Sequence, residues 1–80
     1  MVRMKLRNRR NEYKYTHEQM SSITGIERTK YTRIENGSIK RVSVDDAYLI
    51  AKALNTSIEA IFMPNDVYEE HSQPTGGDAA

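Results

Sequence analysis

The 80-residue chain has no cysteine, and only four glycines and two prolines. Without cysteine, neither a disulfide framework nor a thiolate metal site can reinforce the fold. The few glycines form no loop able to cradle a phosphate, and both prolines, Pro64 and Pro74, fall late in the chain. No stretch approaches the ~18 consecutive apolar residues that a membrane helix needs. Met1-Val2-Arg3-Met4-Lys5 leads into more charge, not into the apolar segment of a signal peptide, so a cytoplasmic protein with no membrane contact is expected. A chain of this length buries only about 60% of the surface its unfolded form exposes, too little for a deep substrate pocket beside a core. Ser/His/Asp and Cys/His sets are missing, and of the two histidines, His17 and His71, the second sits in a polar tail. An enzyme is therefore not expected, and no catalytic, cofactor-binding or metal-ligating residue is assigned.

The net charge of +1 conceals a division. All 12 Lys and Arg lie between Arg3 and Lys52, against seven acids in residues 1–62, a balance of +5. The other four acids, Asp66, Glu69, Glu70 and Asp78, stand where there is no base, a balance of −4. A basic body with an acidic tail suits a polyanion partner.

Composition divides the chain in the same place. Residues 63–80 hold both prolines and the run His71-Ser72-Gln73-Pro74-Thr75-Gly76-Gly77, which buries too little apolar surface to offset its ordering entropy. The reading is a folded domain over 3–62 and a flexible, disordered acidic tail over 63–80. Inside the domain the apolar period is helical. Leu6, Arg10 and Tyr13 are spaced i, i+4, i+7 on a first helix from about Arg3 to Tyr13. Thr16 with Glu18-Gln19 starts a second helix, whose inward face is Met20 and Ile23 and whose end is Gly25. A third runs from Arg28 to Asn36, burying Tyr31 and Ile34 and stopping at Gly37. Ser43 and Asp46 form a near capping box before Val44, Ala47, Ile50, Ala51 and Leu54. Ser57 caps a last short helix with Ile58, Ile61 and Phe62. The expectation is an all-α fold of five short helices without a convincing strand.

Two of these helices carry the functional argument. Thr16 to Gly37 places them around a three- or four-residue turn built on Gly25, with small Ser21 where they approach closely, which is a helix-turn-helix. In that motif the second helix enters the DNA major groove. With Tyr31 and Ile34 buried, its outward residues are Arg28, Thr29, Lys30, Thr32 and Arg33. Arginine can form paired hydrogen bonds with guanine and the threonine methyl can touch thymine, so this face can read sequence as well as charge.

The segment Thr16 to Gly37 ending in Ile34-Glu35-Asn36-Gly37, followed by Ile50-Ala51-Lys52-Ala53-Leu54, resembles the Cro/repressor-type helix-turn-helix regulators of phages and bacteria over about residues 5–62. The resemblance implies a compact five-helix domain that binds double-stranded operator DNA, usually as a symmetric homodimer, to regulate transcription. It implies base contacts from Arg28, Thr29 and Arg33, and a backbone or base contact from His17, where most members have Gln. Asn36, Ser38, Lys40 and Arg41 match the segment that clamps phosphates. Arg10 and Glu35 match a structural ion pair, and exposed Arg7 and Arg9 are further candidate phosphate contacts. Three residues depart from the pattern: Glu27 where a hydroxyl usually caps the recognition helix, Val42 at a usual proline, leaving the loop more mobile, and Tyr15 in place of leucine.

The leading functional reading is a sequence-specific transcriptional regulator, of the repressor kind found in phages and mobile elements. The alternative is an antitoxin or anti-repressor whose C-terminal tail also engages a protein partner. Ile58, Ile61 and Phe62, or Val67-Tyr68, are the candidate dimer surfaces.

Overall fold

A computed structural model describes residues 1–69. Five helices follow one another, α1 (Met4–Glu12), α2 (His17–Thr24), α3 (Arg28–Asn36), α4 (Val44–Ala53) and α5 (Ile58–Ile61). Two short strands, β1 (Val42–Ser43) and β2 (Val67–Tyr68), pair in parallel, with Val42 opposite Val67. Leu6, Met20, Tyr31, Ile34, Ile50 and Leu54 are wholly buried and join all of the first four helices in one core. Ile61 and Phe62 close it from the C-terminal side.

Local chemistry sets the helix ends. Thr16 forms a full capping box, its hydroxyl accepting from the Gln19 amide at 3.0 Å while the Gln19 side chain accepts from the Thr16 amide at 2.8 Å. Gly25 and Gly37 end α2 and α3 at φ +79° and +87°, the left-handed region that a Cβ disfavours. Ser43 caps α4 by accepting from the Asp46 amide. Ser57 precedes α5 but makes no side-chain cap, and Glu27 makes none to α3.

Packing differs from the sequence reading at Ile23 and Tyr13. Ile23 is half exposed, because Met20 and Thr24, at i and i+4, define the inner face of α2 and Ile26 enters the core from the turn instead. The buried Thr24 hydroxyl is satisfied locally, donating to the Met20 carbonyl and accepting from the Ile26 amide. Tyr13 stays on the surface, stacked on Tyr15 with ring centroids 5.4 Å apart.

The expected break at residue 63 also differs. Residues 64–66 form a 3-10 turn and β2 lies against β1, so 63–69 extend the folded unit. Val42 is buried and held in this pairing, where a proline would offer no amide to the ladder. The remaining stretch of the expected tail, residues 70–80, lies outside the described residues.

Candidate nucleic-acid interface

Helices α2 and α3 meet across residues 25–27, and one buried carboxylate ties them to α1. Glu35 is 1% exposed yet charged. Arg10 Nε and Nη2 donate to its two oxygens at 2.7 and 2.8 Å, and the Tyr31 hydroxyl donates at 2.8 Å. Arg7 Nε approaches to 3.5 Å and His17 Nε2 lies 3.2 Å away. Burial pushes the Glu35 carboxyl up, but the hydrogen bonds from Arg10 and Tyr31, the Arg10 charge and the His17 contact outweigh it. The result is a pKa of about 2 against an ordinary 4.5. Burial and then the Glu35 charge push the Tyr31 hydroxyl the other way, well above its usual range. Arg10 is raised, its hydrogen bond to Glu35 prevailing over its own desolvation. The expected Arg10–Glu35 pair is thus the centre of a larger cluster that fixes α3 against α1.

The cluster reaches the outer face through His17. A carboxylate only accepts, so His17 Nε2 carries the proton toward Glu35. In the neutral ring Nδ1 then accepts from the Thr32 hydroxyl, 2.9 Å away, and the imidazole stands edge-on to the Tyr31 ring. His17 and Thr32 are both partly buried by this arrangement, which occupies the Thr32 hydroxyl.

The other candidate residues separate into three groups. Arg28, Thr29 and Arg33 are exposed along α3, and among the described residues none has a side-chain partner. Lys30 is turned toward α4, where its Nζ lies 2.9 Å from Asp46 Oδ2. Beyond α3, Asn36 Oδ1 accepts from the Ser38 amide at 2.8 Å, which shapes the turn and leaves the Asn36 amide group as a donor. Lys40 and Arg41 are exposed on the same loop, and the Arg41 guanidinium lies over the Tyr68 ring, 5.8 Å from its centroid. Donors on the start of one helix and on the loop behind it can address base edges and flanking phosphates respectively.

Two arginines have roles the sequence did not reveal. Arg9 donates to the carbonyls of Leu54 and Asn55, closing the C-terminus of α4, and so serves the fold where a phosphate contact was expected. The left-handed Asn55, at φ 53°, was the available signal, since asparagine often ends a helix this way. The Arg3 side chain is only 8% exposed and bonds across three segments, a placement without any local pattern.

No group of three or more potential metal ligands occurs among the described residues. None of their helices is long and apolar enough to cross a membrane. In comparison with known proteins, residues 6–61 match a family model described as helix-turn-helix. No curated protein and no solved structure matches the chain.

Proposed function

The chain belongs to the Cro/repressor-type helix-turn-helix family and is a DNA-binding transcription regulator, and from that membership we propose that it is a sequence-specific repressor that places α3 in the operator major groove. The observation that carries this reading is the exposed, unpartnered row Arg28, Thr29 and Arg33 on a helix whose inner face is locked by Glu35. Arg28 and Arg33 pair with guanine edges and Thr29 meets a thymine methyl. Thr32, its hydroxyl held by His17, offers its methyl to the same groove, and His17 backs the helix near a phosphate. Lys40, Arg41, Ser38 and the Asn36 amide grip phosphates. Lys30, tied to Asp46, contributes to the basic potential. The carboxylate of exposed Glu27 penalises non-specific binding in the same groove.

Binding is as a homodimer. One module of this kind covers only about 600 to 1,000 Å² on DNA, too little for useful specificity alone, so two half-sites about 34 Å apart are expected. Ile61 and Phe62 are buried in the core and Val67 packs against it, while Tyr68 is exposed with its ring against Arg41. The supporting surface is on α4, where Tyr48 and Leu49 are exposed beside Val44 and Ile58. Selection from random duplexes identifies the operator. At that site Arg28→Ala and Arg33→Ala each cost about 1 to 3 kcal/mol and relax base preference, whereas Lys40→Ala weakens all duplexes alike and lowers the salt slope by about one. Identical behaviour of the three variants would refute the assignment.

A further inference from the structure

Arg3 is a side chain with no expected role, and it occupies a junction. Its Nη1 donates to the carbonyls of Ile34 at 2.6 Å and Ile39 at 2.8 Å, and its Nη2 donates to the carbonyl of Lys40 at 2.8 Å. Nε reaches Asp66 Oδ2 at 3.3 Å, and the guanidinium lies over the Phe62 ring, 5.7 Å from its centroid. The backbone joins in, the Arg3 amide donating to the Glu35 carbonyl at 2.9 Å.

These acceptors share a purpose. The last carbonyls of a helix have no intrahelical donor, and a cation near them is favoured by the helix dipole. The Arg3 amide serves the Glu35 carbonyl, and its guanidinium serves the Ile34 carbonyl of α3 together with two carbonyls of the loop that follows, so one rigid, planar fork sets the loop's angle to the recognition helix. From the far side, Asp66 anchors the fork and also accepts from the Met63 amide. Two residues on, Tyr68 lies against Arg41, and a guanidinium stacked by its face keeps its in-plane N–H donors available.

We propose that Arg3 is a positioning residue for DNA binding: with Asp66 and Tyr68 as its brace, it holds the Lys40–Arg41 loop in the attitude that meets the phosphate backbone. The inference rests on the DNA-binding reading of that loop. Arg3 itself, nearly buried, touches no DNA. Preorganising two phosphate contacts removes an ordering cost that each duplex would otherwise meet, whatever its sequence.

The test uses the full chain, with the selected operator duplex and a scrambled duplex of equal length, by fluorescence anisotropy across a salt series. Circular dichroism melts fix a temperature at which each variant is fully folded. Arg3→Lys keeps the charge and loses the fork, so its effect is geometric. It should lose roughly 3- to 10-fold in affinity for both duplexes, with their ratio unchanged. Arg3→Met should lose at least as much, and Asp66→Asn, which leaves Arg3 in place, should show a smaller loss of the same kind. Amide exchange should quicken at residues 38–41 while Tyr31 stays protected. A folded Arg3→Lys that binds both duplexes within twofold of the parent overturns the proposal, as does a loss confined to the operator. If the parent chain selects no duplex at all, the DNA-binding site assignment itself has failed, a separate result. Should Arg3→Met not fold, Arg3→Lys and Asp66→Asn decide the matter.

Discussion

Glu35→Gln should be strongly destabilising at almost constant side-chain size. The amide keeps the volume of the carboxylate but none of its charge, and it leaves Arg10, whose side chain is 13% exposed, without a counter-ion. Removing one partner of a buried pair costs about 3 to 5 kcal/mol. Proton linkage gives an independent figure. The Glu35 carboxyl titrates near 2 in the folded protein against 4.5 ordinarily, which corresponds to about 3 kcal/mol of stability. Because the folded value is the lower one, that stability is present above pH 4.5 and is lost as pH falls from there toward 2. The variant has no such carboxyl. Its deficit should be about 3 kcal/mol at pH 7, should shrink below pH 4.5, and should nearly vanish by about pH 2. A domain of this size has only about 4 to 10 kcal/mol in total, so the melting temperature at neutral pH should drop by at least about 12 °C. Urea titrations followed by far-UV circular dichroism, run in parallel on both proteins from pH 7 to pH 2, measure the difference directly, and other carboxylates cancel in the comparison. A neutral-pH deficit under about 1 kcal/mol, or one that does not change with pH, would refute the cluster as a source of stability.

The remaining predictions concern the caps, the second glycine and the assembly. Thr16→Ala removes the capping box of α2 and should cost about 1 kcal/mol by urea unfolding, while Ser57→Ala, at a position without a side-chain cap, should cost only a few tenths. Gly25→Ala forces a Cβ into the left-handed region where nothing lies within 4 Å, a cost of about 1 kcal/mol; Gly37→Ala carries the same strain and also collides with the Met1 backbone, so its melting temperature should be the lower of the two. Tyr48→Glu puts a charge in the exposed apolar patch of α4, and sedimentation should show a shift toward monomer with operator affinity falling and the melting temperature little changed. Unaltered sedimentation would move the dimer surface elsewhere.

Much of this protein could be read along the chain because its signals are local. Thr16 with Gln19, Gly25 and Gly37 each act on backbone groups within a few residues, so their spacing alone marks where α2 and α3 begin and end. The exposed face of α3 follows from the same period: once Tyr31 and Ile34 point inward, Arg28, Thr29 and Arg33 must point out. What misled was also local. Ile23 fits an apolar face by spacing, but Ile26 reaches the core from the turn, and only the angle between helices decides which of the two is covered.

Without cysteine, the domain holds itself together by packing and by a buried charge cluster around Glu35. Its sequence determined the five helices, the stops of α2 and α3 and the outward face of α3, because those depend on neighbours three or four positions away. Tertiary structure alone decided which acceptors hold Arg3 and Arg9. Arg3 is spent on carbonyls 31 to 37 residues away and on Asp66, 63 residues away, and Arg9 on the end of α4. Guanidinium groups of identical chemistry become loop tie, helix cap or ion pair according to which distant acceptor the fold brings within reach. The fold also drew Val67 and Tyr68 onto β1, since a strand finds its partner across the fold and leaves no period to read.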